Sequence, residues 1–293
     1  MQRDIIIIGG GTAGMTAAIY GARAGKSVTI FESTAMGGQI ATSPNVENFP
    51  GFESISGMEF SDKLFEQATK LGVEVELGEI ISVVPGETIT IATEDETFTC
   101  RALIVATGVN HRHLGTPAEA KFAGKGVGYC AVCDGAFYRG KDVCVVGGGS
   151  TALQSALMLS DICATVHLIH RRDEFRGEPV LAERVKTVKN IELHLKATVS
   201  DLFGENKLEK VRLSNGEEIS AEGLFVCVGQ VPSNGFLQGV VDLDEGGFVI
   251  AGEDCRTKEP NIFVAGDCRT KNVRQLTTAA ADGTTAALAA SQL

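Results

Sequence analysis

The sequence predicts an α/β fold made of two similar three-layer domains, the second inserted into the first. Three observations lead there. The stretches "IIIIGGGTAGMTAA" (5–18) and "VCVVGGGSTALQSA" (143–156) match block for block: an apolar β run, three glycines, then small residues opening a helix. After each copy, helix-patterned and strand-patterned segments follow in the same order. Near the C-terminus "NIFVAGD" (261–267) reads as one more buried strand without a glycine turn, so it is placed in the first domain's sheet. The 35 glycines in 293 residues, about 12% against an ordinary ~7%, suit many tight turns or close backbone approaches to ligands.

The run at 5–8 is a strand feeding the first turn, whose glycines are Gly9, Gly11 and Gly14. In such a Rossmann-like fingerprint the first glycine turns the chain tightly and the second lets backbone N–H groups approach a pyrophosphate. The third lets helix and strand pack closely, and the helix N-terminus adds partial positive charge. The next strand, "SVTIFE", ends at Glu32, a carboxylate able to accept hydrogen bonds from ribose hydroxyls. A long polar loop follows, then a capping box at Ser56 and Glu59 that opens a helix to about Leu71. Short strands are expected at 73–77, 79–84, 87–92 and 97–100, and "ALIVATG" (102–108) reads as a separate buried strand ending in a turn. In the second copy the glycines are Gly147 and Gly149, with Ala152 third. "TVHLIHRRDEFR" places His170 where Glu32 stood, followed by Arg171, Arg172 and Arg176. A carboxylate repels a 2′-phosphate, whereas clustered guanidiniums bind one bidentately. FAD in the first domain and NADPH in the second fit that order. A helix at 179–189 with proline in its first turn comes next. Strands near 191–203 and 208–213, "GLFVCVG" (223–229) and a final helix from about Val273 complete the chain. The expected division is an FAD-binding domain of 1–113 and 243–293 around an NADPH-binding domain of 114–242.

The net charge of −11 argues against a nucleic-acid partner, which calls for a basic face. Neither the isoleucine run nor the alanine-rich end is long and apolar enough to span a membrane. A cytoplasmic location is expected, where most thiols stay reduced, so the eight cysteines are not a disulfide framework. Cys130 and Cys133 form a C-x-x-C just ahead of the second glycine turn. Such a pair can hold zinc, staple a loop or shuttle electrons. Zinc usually takes two such pairs and only one exists, so no metal is expected. A C-x-x-C disulfide closes a small, reducible ring, and its local field can lower one thiol's pKa.

The segments "GGGTAG", "MGGQ", "VENFPG", "ATG", "CAVCDG", "GGGSTA", "HRRDEFR", "FVAGD" and "RQLTTAAADG" are in the order and spacing of a known family. Over nearly its whole length the chain resembles the low-molecular-weight bacterial thioredoxin reductases. That resemblance implies a homodimer in which hydride passes from NADPH to FAD. Electrons then go to the Cys130–Cys133 disulfide and on to oxidised thioredoxin. It implies that Gly9, Gly11, Gly14 and Glu32 hold the ADP part of FAD, with Gly38, Gln39 and Asn48 at its flavin end. Thr107, Gly108, Gly266 and Asp267 would also contact FAD, and Arg274, Gln275 and Leu276 would close over it. Gly147, Gly149, Ser150, Thr151, His170, Arg171, Arg172 and Arg176 would hold NADPH. Cys130 would attack the protein substrate, Cys133 would lie against the flavin, and Asp134 would protonate the leaving thiolate. A sister family resembling glutathione reductase has its redox cysteines soon after the first fingerprint, and residues 33–60 hold none.

Family members often carry an acidic pair where Gln154 and Ser155 stand, which touches the nicotinamide-end contacts. Three other readings are a ferredoxin-dependent flavin thioredoxin reductase, a flavin-dependent dithiol oxidase of a small molecule, and a flavin-binding redox sensor without turnover. "DCRTK" occurs twice, which makes Cys255 and Cys268 either parts of two polar turns or a redox pair. The demands on Cys130 and Cys133 imply rotation of the inserted domain, with crossings near 111–117 and 242–247 as a two-strand hinge.

Overall fold

A computed structural model describes residues 2–293. The chain forms two compact units: the first runs to Asn110 and resumes at Val231, and the second is His111–Gln230. In chain order the first unit opens with β1 (Arg3–Ile8), α1 (Thr12–Arg23), β2 (Val28–Glu32) and α2 (Gly57–Lys70). It continues with β3 (Glu74–Leu77), β4 (Ser82–Val84), β5 (Ile89–Ala92) and β6 (Thr97–Val105). The Ser56 hydroxyl accepts the Glu59 backbone N–H at 3.1 Å, which is why α2 starts where the capping pattern places it. β6 is one strand and not two. Its first half pairs antiparallel with β5 and its second half parallel with β1, so it changes partners without a turn.

β7 (Val109–His111) leads out of the first unit, and α3 (Glu119–Phe122), β8 (Val127–Gly128), α4 (Ala131–Asp134), β9 (Asp142–Val146) and α5 (Ser150–Ser160) follow. Next come β10 (Thr165–His170), α6 (Pro179–Thr187), β11 (Ile191–Leu195), β12 (Val199–Phe203), β13 (Lys210–Leu213), β14 (Glu218–Ser220) and β15 (Gly223–Val226). β16 (Gln230–Pro232) pairs with β7, and β17 (Ile262–Val264) and α7 (Leu276–Ala290) finish the first unit. The chain therefore crosses at 110–111 and 230–231, the second crossing well before the expected 242–247. The reason is burial. Leu237 and Val241 sit in the first unit's core with Ile6, Ile8 and Val264.

Both units are Rossmann-like, with one strand order. The first has the parallel order β3-β2-β1-β6-β17 and the second β11-β10-β9-β15-β8. β17, from "NIFVAGD", completes the first sheet as expected. Alternate side chains face opposite layers, as strand geometry requires. Ile5, Ile7 and Ile104 pack with the alanines of α1 and α7, while Ile6, Ile8 and Leu103 face the β4–β5 side. In the second unit Val143, Val145 and Leu168 pack with α5, and Cys144, Val146 and Ile169 pack with the antiparallel sheet β12-β13-β14. The alanine-rich end is core. A Cβ on Gly283 would lie 2.3 Å from the Ala13 carbonyl oxygen, so α7 and α1 pack nearly backbone to backbone.

Candidate active site

In the first unit the glycine turn is built as its pattern demands. Gly9 has φ +112°, and a Cβ there would lie 2.2 Å from the Ala106 carbonyl oxygen at the end of β6. A Cβ on Gly14 would lie 1.9 Å from the Gly9 carbonyl oxygen. Gly11, the position meant to approach a ligand, meets nothing nearer than 4.0 Å. Gly38 lies beside it, its Cβ position 3.1 Å from the Gly11 Cα. Glu32 closes the end of β2: one carboxylate oxygen accepts the Gly10 N–H at 2.7 Å and the other the Thr34 N–H at 2.9 Å.

The other residues expected at this site converge on the same unit. The Gln39 amide donates to the Val109 carbonyl, and the Asn48 amide to the Gln275 side chain at 3.2 Å. Thr107 donates to Asn234 at 2.9 Å, and the Asn234 amide donates in turn to the Gly247 and Cys268 carbonyls. Asn234 is buried, and no local pattern in the sequence marks it. Gly108 and Gly266 have φ of +64° and +80°, so each is a turn that favours glycine. Burial pushes the Asp267 carboxyl up from its ordinary value, and its Oδ1 has no hydrogen-bond partner among the described residues. Arg274 donates to the Asp267 carbonyl at 3.2 Å and stacks over Phe248 at 4.5 Å. Gln275 caps α7 reciprocally with Thr278, so the helix opens at Leu276 and not near Val273.

Beneath this loop lies a buried ion network with no sequence signature. Arg269 and Lys271 both reach Asp282, at 2.9 and 2.8 Å, with side chains 1%, 4% and 6% exposed in that order. Asp282 also accepts the Gly266 N–H at 2.9 Å, which fixes the turn that presents Asp267. Burial alone would raise the Asp282 pKa, but the bonds from Arg269 and Lys271 outweigh it and hold the carboxyl below its ordinary value.

The second unit repeats the turn. Gly147 has φ +151° with its Cβ position 2.3 Å from the Cys227 carbonyl oxygen, while nothing lies within 4 Å of that of Gly149. The third position, Ala152, is fully buried. His170 packs its ring where a Cβ on Gly148 would sit, and donates from Nε2 to the Glu174 carbonyl at 3.1 Å. Burial first, with Arg176, Arg171 and Arg172, holds its pKa below the ordinary value against the opposing bond to Glu174. The three arginines are exposed, and among the described residues no carboxylate pairs with any of them. Ser150 accepts the Glu178 N–H at 3.0 Å, and Thr151 is exposed on the first turn of α5. Gln154 is exposed, but Ser155 points inward and receives the Cys227 thiol at 3.8 Å.

Cys130 and Cys133 are joined by a disulfide across the single turn of α4. Cys130 is the N-cap, and its sulfur accepts the Cys133 N–H at 3.2 Å. Cys133 is exposed and Cys130 half-buried. Asp134 ends the helix, and burial raises its carboxyl to about 6. Gly128 makes room for it, since a Cβ there would lie 3.1 Å from the Asp134 Oδ2. The remaining cysteines are free thiols. Cys255 and Cys268 pack in cores on opposite faces of the first unit's sheet, so they form no pair. Burial pushes the Cys255 thiol up to about 12 and that of Cys268 up as well.

This arrangement puts one dinucleotide turn in each unit and a reducible disulfide beside the second. The chain is similar to known proteins. The thioredoxin reductase of Mycoplasma genitalium is 40% identical over 97% of this chain and 93% of its own length. That of Bacillus subtilis is 40% identical over 97% and 92%. The crystal structure of thioredoxin reductase from Streptococcus pyogenes matches with a TM-score of 0.94 at 36% identity, over 99% of this chain and 97% of that one. The family model for pyridine nucleotide-disulphide oxidoreductases matches residues 3–283. The chain belongs to the pyridine nucleotide-disulphide oxidoreductase family.

Proposed function

We propose that this protein is an NADPH-dependent thioredoxin-disulfide reductase, with FAD held by the first unit and NADPH by the second. One observation carries this reading: the Cys130–Cys133 disulfide stands at the opening of the unit whose glycine turn is flanked by unpaired guanidiniums. Bound FAD supplies a two-electron relay between NADPH and the disulfide. The residues present fit it. A buried polar atom without a partner costs about 1–3 kcal/mol, and the orphaned Asp267 Oδ1 is such an atom, in the residue after Gly266, whose Cβ position lies 2.9 Å from the Ala13 Cβ in the first turn of α1. Gly9, Gly11, Gly14 and Glu32 would hold the ADP part, and Gly38, Gln39, Asn48, Thr107, Gly108, Gly266, Asp267, Arg274, Gln275 and Leu276 the remainder. Gly147, Gly149, Ser150, Thr151, His170 and the arginines would hold NADPH.

The reduced pair then acts by thiol exchange. The Cys133 backbone N–H points at the Cys130 sulfur, and the thiolate is the nucleophilic form of a cysteine. Cys130 attacks one sulfur of the thioredoxin disulfide, forming a mixed disulfide. The other thioredoxin sulfur leaves and takes its proton from Asp134. Cys133 gives its proton to Asp134 and attacks the Cys130 sulfur; the bond from Cys130 to thioredoxin breaks, the second thioredoxin sulfur leaves and takes that proton from Asp134, and this releases dithiol thioredoxin and restores the Cys130–Cys133 bond. Val132, 61% exposed between the two cysteines, offers an apolar contact to a protein partner. A homodimer in the cytoplasm, without a nucleic-acid or membrane partner, completes the proposal. The charge of −11 argues against a nucleic-acid partner, and no helix among the described residues is long and apolar enough to cross a membrane.

The deciding assay follows a disulfide dye with NADPH or NADH, with and without a generic thioredoxin. Thioredoxin-dependent turnover on NADPH is expected. Hydrogen peroxide formed without a protein acceptor would move the protein to the dithiol oxidases, and a need for ferredoxin to the ferredoxin-dependent enzymes. Reduction that stops at one equivalent would leave a sensor. In the same assay, replacing Arg171 and Arg172 with alanine is expected to weaken NADPH use by about 1.5–3 kcal/mol per lost phosphate contact and to leave NADH use unchanged. Equal discrimination by parent and variant would assign the cluster elsewhere. A Cys133→Ser protein is expected to accumulate a mixed disulfide with thioredoxin on a non-reducing gel, and Cys130→Ser to accumulate none. The opposite pattern would give the attack to the exposed Cys133.

A further inference from the structure

Away from the redox residues, β10 and β11 bring two histidines together. The strands are parallel neighbours with His167 opposite Glu192 and Ile169 opposite His194. His167 Nδ1 lies 3.1 Å from His194 Nε2 and 3.3 Å from a Glu192 carboxylate oxygen, and one ligand atom from each residue falls within a 4.8 Å cluster. Two nitrogens bound at 2.0–2.1 Å to one tetrahedral ion sit about 3.3 Å apart. The spacing is thus close to that of a ligated pair. We propose that His167, His194 and Glu192 bind a divalent cation of the zinc type, with Glu217 as the outer partner of His194.

A second observation supports the assignment. His194 Nδ1 lies 3.4 Å from Glu217, in the turn between β13 and β14. A proton on Nδ1, the nitrogen facing that carboxylate, would leave Nε2 with its lone pair toward His167. Metal-binding histidines characteristically show this arrangement, in which the far nitrogen donates to a carboxylate. The histidine side chains are 12% and 11% exposed, whereas Glu192 is 60% exposed, so the rings are held by packing and the cluster is open to solvent on one side. Among the described residues no lysine or arginine pairs with Glu192 or Glu217. Two imidazoles and a carboxylate suit Zn²⁺ with a water in the fourth position. The ion would tie the edge strand β11 to β10 and, through Glu217, to the antiparallel sheet.

The test uses oxidised holoenzyme, in which the Cys130–Cys133 disulfide cannot compete for metal. Equilibrium dialysis against ZnCl₂ is expected to load one zinc per chain. His167→Gln and His194→Gln should lose it, and Glu217→Gln should keep it with affinity reduced about 10- to 100-fold. NADPH-to-thioredoxin turnover without zinc should match the parent in all three variants, which verifies that they are folded. X-ray absorption at the zinc edge of the loaded parent should give an N/O shell containing two imidazoles, whatever the fate of the variants. No uptake by the parent, undiminished uptake by either histidine variant, or sulfur in the shell would each overturn the site. Unchanged affinity in Glu217→Gln would remove Glu217 from it.

Discussion

Asp134→Asn is expected to lower thioredoxin turnover by about 100-fold or more, the ordinary worth of a positioned general acid, while making the protein more stable above neutral pH. Both effects have one cause. Burial raises the Asp134 carboxyl from its ordinary 3.8 to about 6, so the fold favours the protonated form. The stabilising contribution is therefore complete below about 3.8 and is lost as pH rises through about 6. Above that, the buried carboxylate burdens the fold by up to about 3 kcal/mol, taking ~1.4 kcal/mol per unit. Asparagine cannot ionise and escapes the burden. Urea unfolding should find the variant more stable at pH 8 and close to the parent at pH 4, and the parent's turnover should decline above about pH 6. A variant as active as the parent would reduce Asp134 to a turn residue before Gly135.

Asp282→Asn is expected to destabilise the first unit by about 3–5 kcal/mol, the usual result of removing one partner from a buried ion network. Lys271 would be left charged, buried and without its carboxylate, and Arg269 with only the exposed Glu253 at 3.0 Å. The lowered Asp282 pKa makes the contribution full above the ordinary carboxylate value, and it is lost only as pH falls through the lowered one. Urea unfolding of the variant at pH 7 should therefore resemble that of the parent in strong acid. Replacing all three residues with apolar ones of similar size is expected to recover most of the loss. FAD affinity should not recover with it, because the Gly266 N–H loses the acceptor that sets the Asp267 turn. Stability unchanged in Asp282→Asn would mean that water already serves the two cations.

The parts of the molecule legible in the sequence are those whose chemistry is local. A glycine needed for a positive φ or a close carbonyl, as at Gly9 and Gly147, leaves its mark within six residues of a strand. The register of Glu32 with His170 is as plain, because both end the strand after a fingerprint helix. What escaped depends on packing between distant segments. β6 reads as two pieces because a strand that changes partners carries no punctuation. The return at Val231 was invisible because Leu237 and Val241 gain their meaning only from the core they enter. The Arg269–Asp282 pair and the His167–His194 pair share this character. Each joins residues that only the packing of α7, or the pairing of β10 with β11, brings together.

The common strand order of the two units bears on how the chain is made. The second unit receives its fifth strand, β8, ahead of its glycine turn, so its sheet is complete once Val226 has left the ribosome. The first unit, begun earlier, must wait for β17, and until Val264 emerges the inner half of β6 has an unpaired edge. An open parallel edge is prone to pairing with other chains. The insertion thus reverses the order of birth, since the domain that starts second is the first able to fold. The nascent N-terminal half is the stretch exposed longest to chaperones.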